Sequence, residues 1–244
     1  MQERERELQT LNELRQAEIA SVVTRGLNPD VPMKDSGIPW IGQIPAHWDV
    51  KFLFQVAREH YISNKDIHHK NLLSLSYGKI VRKDINTSDG LLPASFDTYQ
   101  LIEPGNIVFR FTDLQNDHKS LRVGLSKETG IITSAYVVVE VDPNYILPEY
   151  FYYTLHSFDI NKLFYSMGGG LRQSLNFSGI RKLYLPIPPL EEQKAIISCI
   201  NDKITKIETM ISSFKAEIDR LTEYRQRLIS DVVTGQINVQ NEKV

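Results

Sequence analysis

The sequence predicts an α+β fold: one globular α/β domain joined to a long coiled-coil helical spacer and preceded by a shorter N-terminal helix. Three observations point there. Apolar residues keep heptad spacing for five repeats after Pro189, and a segment of 22 residues near the start recurs near the end. Between these, short β-branched and aromatic runs alternate with polar loops. The predicted division is a helix over 1–28, a globular domain over 29–187, a spacer helix over 188–236 and a tail over 237–244.

The spacer is the clearest element. Ile197, Ile200, Ile204, Ile207, Ile211, Phe214, Ile218, Leu221, Leu228 and Val232 follow one another in alternating steps of three and four, and only Arg225 interrupts them. No glycine or proline lies inside the run. Pro188 and Pro189 suit a helix start, and Glu191 and Glu192 meet the positive end of the helix dipole. At about 1.5 Å per residue the helix is roughly 65 Å long, more than one domain of this size needs for its own core. The seam from Ile197 to Leu228 is therefore predicted to be a dimer or subunit interface.

The repeat aligns Glu7–Asn28 with Glu217–Asn238 at an offset of 210, without gaps. Ten of the 22 positions are identical, among them Leu11, Arg15, Ile19, Val22, Val23 and Thr24. Glu18 stands where the second copy has Leu228, so the two copies are not expected to pack identically. Gly26, Pro29 and Pro32 end the first helix. Two tryptophans and two prolines between Asp35 and Trp48 predict a rigid anchored strap.

In the globular part, strands are expected at 71–77, 106–111, 131–141 and 182–187. Helices are expected at 52–60, 148–157 and 159–167. Loops at 78–94 and 112–123 carry most of the polar groups.

Composition limits the function. Net charge is −2, yet 50–83 holds seven Lys/Arg against two acids, whereas 84–103 holds four acids and no Lys/Arg. Such polarity permits phosphate binding on one side. No apolar run approaches the ~20 residues of a membrane helix, and the charged start does not read as a signal peptide. The single cysteine, Cys199, allows no disulfide within one chain, which suits a cytoplasmic setting. A phosphate-cradling Gly-x-x-x-x-Gly-Lys-Ser/Thr, a dinucleotide fingerprint and the Asn-Pro-Pro-aromatic loop of amine methylation are all missing. His68 and His69 are adjacent and no zinc-type spacing with cysteine exists, so no metal site is expected.

Several patches in order carry a resemblance. They are Ile38-Pro-Trp-Ile-Gly-Gln-Ile-Pro-Ala-His-Trp48, Thr112-Asp-Leu-Gln-Asn-Asp117 with Gly130-Ile-Ile-Thr-Ser-Ala-Tyr136, Gly168-Gly-Gly-Leu-Arg-Gln-Ser-Leu175, and Leu185-Pro-Ile-Pro-Pro-Leu-Glu-Glu-Gln193. Together they make the chain resemble the specificity subunit of type I restriction-modification systems. Members have two target-recognition domains, each followed by a helical spacer. This chain has one of each, preceded by a copy of a spacer's tail, and looks like a half-length form.

The resemblance implies no catalysis and no cofactor in this chain. It implies a reader of one half-site in double-stranded DNA that docks modification (methyltransferase) subunits, which bring S-adenosylmethionine and methylate adenine. Motor-nuclease restriction subunits using ATP and Mg are possible further partners. A homodimer paired through the seam would then present two half-sites, and folding of the seam onto the chain's own N-terminal helix is the alternative. Two other readings stay open: a fragment that only pairs with other subunits, and a recognition subunit of a fused restriction-methylation enzyme. Expected phosphate contacts are Lys79, Arg82 and Lys83. Expected base contacts are Ser76, Tyr77, Gln115, Asn116, His118, Arg172 and Gln173. Pro186–Glu192 and the helix flanks are the expected docking surface for the modification subunit.

Overall fold

The computed structural model describes residues 2–85, 95–112, 114, 121–167 and 175–236. It has the expected mixture of helix and strand and the expected long helix. Two compact units emerge: Met1–Glu18 with Cys199–Val244, and Ile19–Ser198. This division cuts through the first and last helices, whereas the sequence suggested boundaries at their ends.

The first helix, α1 (Gln2–Arg25), stops at Gly26, whose φ of +74° ends the helix without a side-chain clash. In the unit Ile19–Ser198 there follow β1 (Met33–Asp35), β2 (Gln43–Pro45), β3 (Asp49–Phe52), one helical turn α2 (Leu53–Val56), β4 (Ala57–Glu59), β5 (Leu73–Ser76) and β6 (Lys79–Arg82). Then come β7 (Gln100–Ile102), β8 (Ile107–Phe109), β9 (Val123–Leu125), β10 (Gly130–Ile132) and β11 (Val137–Val141). Helices α3 (Pro148–Ile160), α4 (Leu163–Met167) and α5 (Phe177–Ile180) precede β12 (Tyr184–Ile187) and the long helix α6 (Leu190–Val233).

One four-stranded sheet, ordered β4-β11-β8-β9, is antiparallel throughout. Around it lie the antiparallel pairs β1–β2, β3–β12, β5–β6 and β7–β10. Alternation along β5, β7 and β10 distributes the core. Leu73, Leu75, Ile102 and Ile132 join Val108 and Val138 in one cluster, whereas Leu72, Leu101 and Ile131 form another. On α3, Tyr150, Phe151, Thr154, Leu155 and Phe158 are buried at helical spacing behind Pro148 in the first turn.

Four local expectations change. The helix expected at 52–60 is one turn, because Ala57–Glu59 pair with Val139–Val141 instead. The loop expected from 78 is a strand up to Arg82, since Tyr77 and Gly78 turn the chain in two residues at φ of 47° and 77°. The single strand expected at 131–141 breaks at Thr133–Tyr136 into β10 and β11, which join different sheets. The helix expected at 159–167 is divided at Asn161–Lys162, with Lys162 at φ 59°. Tertiary pairing decided these points, which local propensity does not register.

The strap is a β1–β2 hairpin, and of its two tryptophans only Trp48 is an anchor. Trp48 is fully buried and its indole N–H donates to Glu192 Oε2 at 3.0 Å, while His47 Nε2 lies 2.7 Å from the same oxygen. Trp40 is 45% exposed. Next to Glu192, the buried Gln193 closes three bonds. Its amide donates to the carbonyls of Tyr145 and Pro188, both at 2.9 Å, and its Oε1 accepts from Leu147 N at 2.8 Å. Pro186–Pro188 are buried as well, so this part of the expected docking surface is not surface; Pro189 and Glu191 are exposed.

In the unit Met1–Glu18 with Cys199–Val244, α1 lies antiparallel to α6. Arg4 Nε is 3.2 Å from Glu217, Arg15 is 4.0 Å from Glu208, and Glu18 is 2.5 Å from Lys203. The Arg4 guanidinium also sits 5.0 Å over the Phe214 ring. Along this stretch Ile200, Ile207 and Ile211 are buried, while Ile204, Phe214 and Ile218 are half-buried. The seam expected to await another helix is thus met here by the chain's own N-terminal helix. Ile197 is only half-buried, its neighbour Ile196 taking the core position. Leu221 and Leu228 are 39% and 40% exposed.

Replacing Gln193 by Ala leaves three buried backbone groups without their partner. The full chain is expected to lose about 2–4 kcal/mol of stability, read by urea denaturation through the fluorescence of the buried Trp48.

Candidate nucleic-acid interface

The β5–β6 hairpin carries the described half of the predicted site. Its two-residue turn needs positive φ at both positions, which Gly78 supplies freely and Tyr77 adopts at some cost. The turn leaves Tyr77 74% exposed at the tip, with Lys79 exposed beside it and Lys83 exposed past the far end of β6. Ser76 is half-buried opposite Lys79 in the ladder.

Two glycines seat the hairpin. A Cβ on Gly124 would lie 2.5 Å from the Leu75 side chain, and one on Gly130 would lie 2.6 Å from the Asn71 carbonyl. Only backbone fits where β5 crosses these strands. From α3, the Tyr152 hydroxyl donates to the Gly78 carbonyl at 3.3 Å and supports the tip.

Arg82 stands differently from its expected role. Its Nε meets both carboxylate oxygens of Glu128, at 3.0 and 2.8 Å, and its terminal nitrogen meets Oε2 at 2.6 Å. This hydrogen-bonded pairing holds the Glu128 carboxyl below its usual range and raises the Arg82 guanidinium. Asn71 donates to the same carboxylate at 3.0 Å. A phosphate at Arg82 would have to compete with Glu128, a partner 46 residues away that no local motif reveals.

Below the tip lies a buried polar cluster absent from the sequence-based candidates. Gly78 abuts Leu121: a Cβ there would be 3.1 Å from the leucine side chain. The adjacent Arg122 is fully buried; its guanidinium donates to the Thr112 carbonyl at 2.9 Å and to the Tyr165 hydroxyl at 3.3 Å. Asp159, buried on α3, accepts from the Arg122 backbone N–H. Thr112 and Arg122 thus brace the two sides of the loop expected to read bases, and Tyr165 belongs to α4, which leads into 168–174. Gln115, Asn116, His118, Arg172 and Gln173 themselves lie outside the described residues.

Loss of solvation pushes the Asp159 carboxyl up to about 6, against the pull of the Arg122 N–H bond. A raised value in the fold means that the folded state binds the proton more tightly. The stabilisation from that proton is complete below about 3.8 and is lost as pH rises through about 6. Asp159→Asn should remove this dependence. Between pH 4 and 7 the wild-type chain should lose about 2 kcal/mol relative to the Asn variant, measured by urea denaturation at each pH.

Among the described residues, no group of three or more His, Cys, Asp or Glu is placed to hold a metal ion. None of the described helices is long and apolar enough to cross a membrane.

Comparison with known proteins gives a consistent family. Residues 122–219 match the Type I restriction modification DNA specificity domain. The "Putative type I restriction enzyme MjaX specificity subunit" of Methanocaldococcus jannaschii is 24% identical over 205 residues, 80% of this chain and 47% of that protein. The fold is similar to the HsdS subunit from Thermoanaerobacter tengcongensis, with a TM-score of 0.54, 14% identity and coverage of 90% of this chain and 50% of the other. A chain from a structure describing complex assembly and conformational transition of the type I R-M system gives a TM-score of 0.62 at 12% identity, covering 94% of this chain and 53% of that one. The chain thus spans about half the length of each of these proteins.

Proposed function

Since the chain carries a type I restriction modification DNA specificity domain over residues 122–219, we propose that it is the DNA-reading subunit of such a system. In this reading it selects one half-site of double-stranded DNA, catalyses no step, and acts in the cytoplasm. S-adenosylmethionine binds in the modification subunits it docks, which methylate adenine; ATP and Mg belong to any restriction subunit that joins. The observation that supports it best is the convergence at one place of the β5–β6 tip and the braced flanks of the 113–120 loop.

Roles follow from exposure and chemistry. Lys79 and Lys83 are free to meet phosphates, whereas Arg82, held by Glu128, first serves to fix the hairpin. Phosphate contacts position the protein and make affinity salt-dependent without specifying sequence. Base reading is assigned to Tyr77 and Ser76 with Gln115, Asn116, His118, Arg172 and Gln173. The protein acts as a two-fold dimer, which supplies the second half-site, so the target is a split palindrome.

The test is the complex of this chain with its methyltransferase. Lys79→Ala with Lys83→Ala should lower the slope of log affinity against log salt by about 0.9 per lost contact and leave the methylated sequence unchanged. Unaltered affinity and slope would remove the phosphate assignment. An assembled complex that methylates no defined adenine site would favour the pairing-only fragment.

A further inference from the structure

The repeated segment occupies two unlike environments. In the first copy Ile19, Val22 and Val23 are 4%, 6% and 0% exposed, and the Val23 carbonyl accepts a bond from Tyr150. In the second copy the matching Ile229 and Val233 are 53% and 79% exposed. Leu221, Tyr224 and Leu228 on the same tail are exposed too, at 39%, 65% and 40%. A segment with the same identities has a seat in one place and none in the other.

The seat is known, because α1 occupies it. α1 meets α6 at Glu18–Lys203, Arg15–Glu208 and Arg4–Glu217. Moving each α1 residue by the repeat offset places Leu228 at Lys203, Arg225 at Glu208 and Phe214 at Glu217 of a second chain. The midpoints of these pairs all fall between Lys215 and Glu217, so the arrangement reads identically from either copy. A closed, two-fold antiparallel α6 pair has this property, and an open head-to-tail chain does not.

We infer that the tail of α6 fits the α1 seat on a second copy of this chain, so that α1 and the partner's tail compete for one surface and α1 gates pairing. The inference rests on the dimeric reading above and adds its register and its control. Complementarity supports it: Arg225 keeps the contact that Arg15 makes with Glu208. The two other substitutions change the character of the contact. Leu228 stands in place of Glu18 against Lys203 and, with the offset carried three residues past the repeat, Phe214 stands in place of Arg4 at Glu217, so the exchanged pair keeps one of the three ion pairs. Salt screens ion pairs, and so weakens the hold of α1, which has three, more than that of the tail, which has one. Rising salt should therefore favour the dimer.

The experiment uses the full chain with Cys199→Ser. A variant with Glu208→Cys and Arg225→Cys should be joined between chains by a short bis-maleimide, doubling the mass on a denaturing gel. A second variant, Arg15→Cys with Glu208→Cys, should be joined within the chain. Locked this way it should remain monomeric by light scattering, with its dimer fraction at least tenfold below that of the untreated sample. The unlocked wild-type chain should show a dimer fraction rising severalfold between low and high salt. Absence of the 208–225 link between chains overturns the register. A locked chain that still dimerises overturns the competition, and a chain monomeric at every salt and concentration overturns both. None of these masses depends on DNA, so their failure leaves the DNA-reading proposal to its own test.

Discussion

The first turn of α6 fixes the geometry on which the globular unit depends. Glu192 and Gln193 are adjacent and do different work. The Glu192 carboxylate receives the Trp48 indole N–H and lies beside His47, tying down the residue that follows the β1–β2 hairpin. Gln193 satisfies the carbonyls of Tyr145 and Pro188 and the amide of Leu147, fixing the approach to α3. Charge suits the one position, near the positive end of a helix dipole and only partly buried. A neutral amide with both donor and acceptor suits the other, buried among backbone groups that need each. Exchanging the two residues would leave a carboxylate in the core and an amide at the dipole.

That clamp has a consequence for the interface. α3, whose entry Gln193 holds, supports the hairpin tip through Tyr152 and the backbone at Arg122 through Asp159. Tyr77 stands exposed on a turn, whereas Tyr152 and Asp159 support that turn and the chain at Arg122 from α3. Arg122 illustrates the difference. Its charge is fully buried and meets the Thr112 carbonyl and the Tyr165 hydroxyl, which ties β9 to Thr112 and to α4. Removing it would leave the Thr112 carbonyl and the Tyr165 hydroxyl without that donor, in contrast to Lys79, whose loss removes one exposed charge.

Much of this organisation was legible in the sequence where a single period or a fixed residue type carried it. The heptad steps marked α6, the repeat marked α1, and the patches from Ile38 to Gln193 carried a resemblance that the match over 122–219 repeats. What stayed hidden had long-range causes. Tyr77-Gly78 is not a common hairpin dipeptide, so β6 read as loop. Arg82 read as a free cation because Glu128 is distant in the chain. The helical pattern at 52–60 lost to pairing with β11. The Asp159–Arg122 contact joins residues 37 apart and leaves no motif at either end.

The repeat was visible at once, but its meaning was not, because identity between two segments does not say that they share a binding surface. The structure supplies the missing step by showing one copy seated. Glu18, Arg15 and Arg4 spell out a register along α6, and arithmetic alone carries that register to the second copy. The departures from identity then become informative. With Glu at 228 and Arg at 214, the two segments would compete for the seat with the same ion pairs, and salt would weaken both alike. With Leu228 and Phe214 in those places the internal contact is the more ionic and the exchanged contact the more apolar. One surface thereby responds to its two occupants with unequal dependence on ionic strength.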